Sequence, residues 1–293
     1  MDPAYIERFA GIGRLYGRAN MERLSRSSFL IVGLGGVGSW TAEALARTGV
    51  GHLVLVDGDA VCISNTNRQL HAVAGNDGKA KTQAMAERVR SIHPAIRTTL
   101  HPRFLSKLNA HEVVKDFDGV VIDAMDSLSP KCGLIAECFN RKIPLVSVGG
   151  CAGRLDGTRI KVTDLTASRD DPLMMLVRKR LRQNFDFPRK GLFHVSCVWS
   201  DEPLVQPTDC ADLPGGTLPD DNELNPNCEW VTARPRMSLV PSGSQPPAKL
   251  SGSHFCGPIN SRRKFARVSS AETSGVTPNV KANCSLVLKI LAG

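Results

Sequence analysis

Over the first two hundred positions, apolar residues fall in short runs separated by amphipathic stretches. The runs "SFLIVG", "HLVLVD", "DGVVIDA" and "IPLVSVG" read as strands, because each is a short, nearly continuous apolar run. Between them, apolar positions spaced three and four apart predict helices over 38–48, 79–91 and 131–140. Gly49 and Gly51 stop the first helix, and Pro94 follows the second as a terminator. Another helix is expected in "DDPLMMLVRKRLRQNF", with Asp171 as its N-cap and Pro172 at its first position, where a missing N–H costs nothing. Strand and helix alternating in this way predict βαβ units. The expected fold class is therefore α/β, a Rossmann-like doubly wound and mainly parallel sheet with flanking helices.

The pattern fails after about Gln206. Ten of the 18 prolines fall in the last 88 residues, and stretches such as "LPGGTLPDDNELNPN" lack the apolar register needed to bury a face. Only "NCSLVLKILAG" retains enough of it for a short strand or helix. The expected organisation is an N-terminal helical arm over 1–27, one domain over 28–205, and an irregular, poorly ordered tail over 206–293.

No apolar run approaches the ~20 residues that span a bilayer, so no membrane span is predicted. The opening "MDPAYIERFAGIGRLYG" has no continuous apolar core of the signal-peptide kind, which makes the cytoplasm the expected setting. The nine cysteines are scattered and none forms a C-x-x-C pair, which favours reduced thiols over a disulfide scaffold or structural zinc. A net charge of +9 suits an anionic partner or, equally, plain solubility. Part of it lies in Arg178, Lys179, Arg180 and Arg182, at the C-terminal half of the expected helix; these either complement the helix dipole or, with Arg189 and Lys190, meet a polyanion.

Candidate chemistry begins where the first strand runs into Gly33, Gly35, Gly36 and Gly38. A strand, then G-x-G-x-x-G, then a helix brings backbone N–H groups up to an anion. Asp57, ending the next strand, is placed for ribose hydroxyls, which NAD and ATP share. The neighbouring segments favour a polyphosphate. "DGDAVCISNTNRQ" adds Asp59, Asn65, Asn67, Arg68 and Gln69, and Arg68 is of the type that spreads charge over phosphate oxygens. Lys81 starts a helix whose positive dipole end also favours anions, with Lys79 as a second candidate. "VIDAMDSLSPK" ends a buried strand in Asp123 and Asp126, hard oxygen donors suited to Mg²⁺. Singly, Arg68 also fits an exposed loop cation, Lys81 a solvated helix face and Asp126 a helix N-cap. Together, in this order at strand ends, they point to an ATP site.

The segments "RFAGIGRLYG", "GLGGVGSWTAEALARTGVGHLVLVDGDAVCISNTNRQLHA", "GKAKTQAMAERV", "VIDAMDSLSPK" and "IPLVSVGG" resemble the ubiquitin-activating-enzyme-like ThiF/MoeB superfamily of adenylating enzymes, and within it the tRNA threonylcarbamoyladenosine dehydratases. The resemblance spans roughly two thirds of the chain, and the pairing of "SNTNRQ" with "DAMDS" is specific. It implies that Gly33, Gly35, Gly36 and Gly38 line a nucleotide, that Asp57 holds the ribose, and that Asn65, Arg68 and Lys81 handle the phosphates. It further implies that Asp126 is the Mg²⁺ acid, that Asp123 supports the strand end, and that Arg14 arrives from the partner in a homodimer. The implied reaction uses ATP to adenylate a carboxylate on tRNA and closes a ring with loss of AMP.

Three other readings stand beside it. One is adenylation of a ubiquitin-like or sulfur-carrier protein, for which Cys197 is the cysteine to inspect, although its sequence setting also suits a small buried strand residue. Another is a weakened, tRNA-binding protein of the same fold, because the Cys-containing loop and small-residue-rich helix that end such proteins have no match after Gln206. The third is an NAD dehydrogenase, which the set of Arg68, Lys81 and Asp126 disfavours.

Overall fold

The computed structural model describes residues 1–205; the tail, including "NCSLVLKILAG", lies outside them. Its chain order is α1 (Pro3–Tyr16), α2 (Arg18–Arg26), β1 (Ser28–Val32), α3 (Gly36–Arg47), β2 (His52–Val56), α4 (Lys81–Ile92), β3 (Arg97–His101), α5 (Ala110–Val114), β4 (Val120–Asp123), α6 (Leu128–Arg141), β5 (Leu145–Val148), β6 (Ile160–Asp164), α7 (Pro172–Asn184) and β7 (Ser196–Ser200). The strands form one sheet in the order β3-β2-β1-β4-β5-β7-β6, parallel throughout except for antiparallel β6 against β7.

Alternation along the central strands sends side chains into two cores. Leu30, Val32, Val54, Val56 and Val121 face a core shared with α5, α6 and α7, while Phe29, Ile31, Leu53, Leu55 and Ile122 face one shared with α3 and α4. A sheet covered on both sides explains why those strands read as unbroken apolar runs. Three strands lack such a run: "RTTLH" and "IKVTD", which are the two edges β3 and β6, and "SCVWS", the internal strand β7. An edge strand is only partly covered, so its apolar alternation is weak.

The arm is two helices split at Gly17, and it packs on the domain through Phe9, Met21 and Leu24. The Tyr5 hydroxyl donates to the Gly49 carbonyl at 2.6 Å, and the Phe9 ring meets His93 edge-on at 4.9 Å. Burial pushes the Tyr5 phenol up to about 12, so it stays a donor. At α7 both capping expectations hold: Asp171 accepts from Met174 N at 2.9 Å, and Pro172 follows at the first helical position. Asp171 also pairs with the buried guanidinium of Arg154, which ties α7 to the end of β7 through the Ser200 carbonyl. Among the described residues no helix is long and apolar enough to cross a membrane.

Strand order turns in opposite directions from β1, toward β2 on one side and β4 on the other. Crossovers diverge there, leaving a crevice at the carboxyl ends of the strands.

Candidate active site

The crevice opens with the glycine turn. Gly33 adopts φ +88°, a left-handed conformation that a side chain would strain, and its N–H donates to the Val56 carbonyl at 2.9 Å. A Cβ on residue 38 would lie 1.8 Å from the Gly33 carbonyl oxygen, so α3 can meet the strand end only with glycine there. Gly35 caps α3 without a side-chain hydrogen bond, and a Cβ on it would meet open space. The first backbone N–H groups of α3 are thus left for an external acceptor.

Asp57 locks the turn from β2. One carboxylate oxygen accepts from Leu34 N at 2.6 Å and the other from Asp59 N at 2.8 Å. Burial pushes this carboxyl above the usual carboxylate range, while the Lys81 charge and both backbone donors pull the other way. Each oxygen keeps a second lone pair, so the group retains capacity for ribose hydroxyls.

Lys81, at the first position of α4, is almost wholly buried and reaches Asp59 Oδ2 at 2.6 Å. It therefore does not lie on a solvated helix face. Lys79 instead pairs with Glu87 at 2.8 Å, on the exposed side of the same helix.

Residues 63–70 are latched onto α3, which brings the "SNTNRQ" loop to the glycine turn. Trp40 Nε1 donates to the Arg68 carbonyl at 3.2 Å, Leu70 N donates to Ser39 Oγ at 3.2 Å, and a Cβ on Gly36 would sit 3.6 Å from the Arg68 carbonyl oxygen. Asn65 and Gln69 are buried, and Asn67 is exposed. The half-buried Arg68 donates from Nη1 to the Ser64 carbonyl and to Asn67 Oδ1, both at 3.0 Å. His71 is buried with neither ring nitrogen hydrogen-bonded to another described residue; burial, reinforced by Lys81, lowers its pKa to about 4 and keeps it neutral.

At the end of β4 the two acids part. Asp123 has no exposed surface and is held by Lys131, Ser147 and Met125 N. The strand pleat turns it to the same face as Val121, into the core shared with α6. Asp126 is exposed at the crevice, and α6 is capped by Ser127 in place of Asp126. Arg14 stands exposed on the last turn of α1, which is anchored beside the C-terminal ends of α3 and α4. Cys197 is buried within β7, and desolvation pushes its thiol up to about 12, the state of an inert strand residue.

A helix N-terminus capped by Gly35, the Asp57 carboxylate, and the Lys81 and Arg68 side chains are thus gathered around one turn at the carboxyl end of the sheet. The ThiF family model matches residues 9–186. The chain belongs to the ThiF family. Within it, the chain is 47% identical over 206 residues to an Escherichia coli K12 tRNA threonylcarbamoyladenosine dehydratase, covering 70% of this chain and 77% of that one. A Bacillus subtilis 168 protein of the same name is 39% identical over 191 residues, covering 64% and 73%. The solved structure of the E. coli dehydratase, TcdA, in complex with ATP superposes with a TM-score of 0.69 at 46% identity, covering 70% of this chain and 86% of that one. The same E. coli protein has also been solved with AMP. This ThiF-family chain shares their fold.

Sequence reasoning named most of the charged groups here but missed Ser39, Trp40, His71 and Lys131. The first two act across 28 residues or more, and nothing in their neighbourhood marks them. Gly38→Ala should lower the unfolding free energy by about 1–3 kcal/mol through forced displacement of the turn. Urea denaturation checks this, and wild-type stability would contradict the packing described.

Proposed function

We propose that this chain is an ATP-dependent tRNA threonylcarbamoyladenosine dehydratase. The observation that carries the reading is the joining of the glycine turn, Asp57, Lys81 and Arg68 by named bonds at one end of the sheet, in a chain 47% identical over 206 residues to a dehydratase of that name. The organisation proposed is an arm over 1–27, an adenylation domain over 28–205 and a tail over 206–293.

The substrate's carboxylate attacks the α-phosphorus of ATP, and pyrophosphate leaves. The resulting mixed anhydride makes one carboxyl oxygen part of a good leaving group. The carbamoyl group of the same side chain then attacks the acyl carbon and AMP departs, so the net change is loss of water. Ring closure within one side chain gains from proximity, and the demand on the protein is mainly charge neutralisation.

Gly33, Gly35, Gly36 and Gly38 admit the phosphates to the N–H groups of α3, and Asp57 takes the ribose. Asn65, Asn67 and Gln69 shape the phosphate loop. Arg68 spreads the negative charge that develops at the α-phosphate. Lys81 exchanges its partner Asp59 for phosphate oxygen when the nucleotide enters. Asp126 suits Mg²⁺ as a single hard donor at the mouth: among the described residues no group of three or more metal-ligating side chains exists, and Mg²⁺ on a triphosphate ordinarily keeps phosphate and water as most of its shell. When bound, the ion supplies charge neutralisation. Asp123 supports the strand end from within. In a cytoplasmic homodimer Arg14 would serve the partner's site.

The tRNA would be met by the outer face of α7. Arg178, Lys179, Arg182 and Arg189 line a groove of about 310 Å³ with Met175 and Gln183, and no acid is among these lining residues. Arg178 is fixed by donating to Ser168, and Arg182 lies 5.0 Å over the Phe193 ring, so both are pre-positioned.

Exchange of labelled pyrophosphate into ATP should depend on threonylcarbamoyladenosine-bearing tRNA, and Arg68→Ala should slow it by about 10²–10³-fold. Exchange without that tRNA, or none from folded protein, would contradict the assignment. Four phosphate contacts predict about 10²-fold weaker tRNA binding between 50 and 200 mM salt. Fluorescence anisotropy across that range checks the value, and a flat profile would remove α7 from the interface.

A further inference from the structure

Lys131 is a wholly buried lysine in the fourth position of α6. Its location breaks two rules. A cation near a helix N-terminus opposes the helix dipole, and a charge taken out of water costs several kcal/mol unless it is well partnered. Such local conflict gathers where a site must be held in place.

The partners of Lys131 show what is held. Its ammonium donates to Asp123 Oδ2 at 2.9 Å and to the Met125 carbonyl at 2.8 Å. Asp123 Oδ1 accepts from Met125 N at 3.2 Å, while Asp123 Oδ2 also accepts from Ser147 Oγ at 2.7 Å. Met125 is thereby gripped at both its N–H and its carbonyl by one buried ion pair. On the other side, Ala124 N donates to the Val32 carbonyl at 2.9 Å, and the Ala124 carbonyl lies against Gly33. The start of the link between β4 and α6 is clamped between the glycine turn and the Asp123–Lys131 pair. Asp126 is the next side chain along.

We propose that Lys131 is a positioning residue, which acts through Asp123 and the Met125 backbone to fix Asp126 beside the nucleotide phosphates so that it can share a divalent cation with them. This rests on the metal role proposed for Asp126. Lys131 touches neither the substrate nor the ion; without it the clamp opens at Met125, and Asp126 loses its fixed distance from the glycine turn.

The test uses the full chain and Mn²⁺ as a probe, with equilibrium binding to the protein with a non-hydrolysable ATP analogue followed by electron paramagnetic resonance. Lys131→Met should weaken Mn²⁺ binding by about 10–100-fold, the usual effect of removing an outer-shell support. Affinity for the nucleotide without metal should stay within about twofold. Because Lys131→Met strands a buried carboxylate, the paired change Asp123→Asn with Lys131→Met removes both charges together and should show the same Mn²⁺ defect in a folded protein. Asp126→Asn is the reference. If it weakens Mn²⁺ binding while the folded paired variant binds as wild type, the positioning role is overturned. If Asp126→Asn has no effect either, the metal role of Asp126 fails, and the positioning role fails with it.

Discussion

Where β1 meets α3 there is no room for a methyl group. The Gly33 carbonyl stands where a Cβ on residue 38 would be, and the rest of the site is measured from that contact. Because strand and helix touch so closely, the α3 N–H groups point into the crevice, unshielded by any side chain of the cap. Asp57 reaches back from β2 to Leu34 N, and the loop carrying Arg68 hooks over Ser39 and Trp40 of α3. The carbonyl of Ala124 presses on Gly33 from β4. Three distant segments are registered against a single turn, with their charged groups spaced from it by short bonded links.

The electrostatics follow from that packing. Each cation at the site already has a partner: Lys81 has Asp59, Arg68 has Ser64 and Asn67, and Lys131 has Asp123. The partners differ in exposure. The Asp59 side chain is 38% exposed and can give up Lys81 to an entering anion at modest cost, whereas Asp123 is fully enclosed and cannot. One ion pair is thus open to exchange with a ligand, and the other is fixed in the architecture.

That distinction also marks how far the amino-acid sequence could be read. The central strands β1, β2, β4 and β5 declared themselves because burial on both faces leaves unbroken aliphatic runs, and the glycine motif did so because its spacing has few other uses. Edge strands β3 and β6 stayed hidden in polar text. Asp123 and Asp126 lie three residues apart and look equivalent as letters, yet one ends inside the sheet and the other beyond it. Lys131 in "SPKCGL" reads as an ordinary helix cation until α6 is laid on the sheet, although a positive charge so near a helix start was a signal available beforehand. Residue types were legible; which of them turn inward was decided by tertiary contact.

The central claim is that the glycine turn, Arg68 and Lys81 surround one triphosphate. A crystal structure of the full chain with a non-hydrolysable ATP analogue and Mg²⁺ tests this most directly. Phosphate oxygens are expected within hydrogen-bond distance of the α3 N-terminal N–H groups, the Arg68 guanidinium and the Lys81 ammonium, with Asp59 released. A nucleotide bound elsewhere, or bound here with Lys81 still on Asp59 and Arg68 turned away, would contradict it.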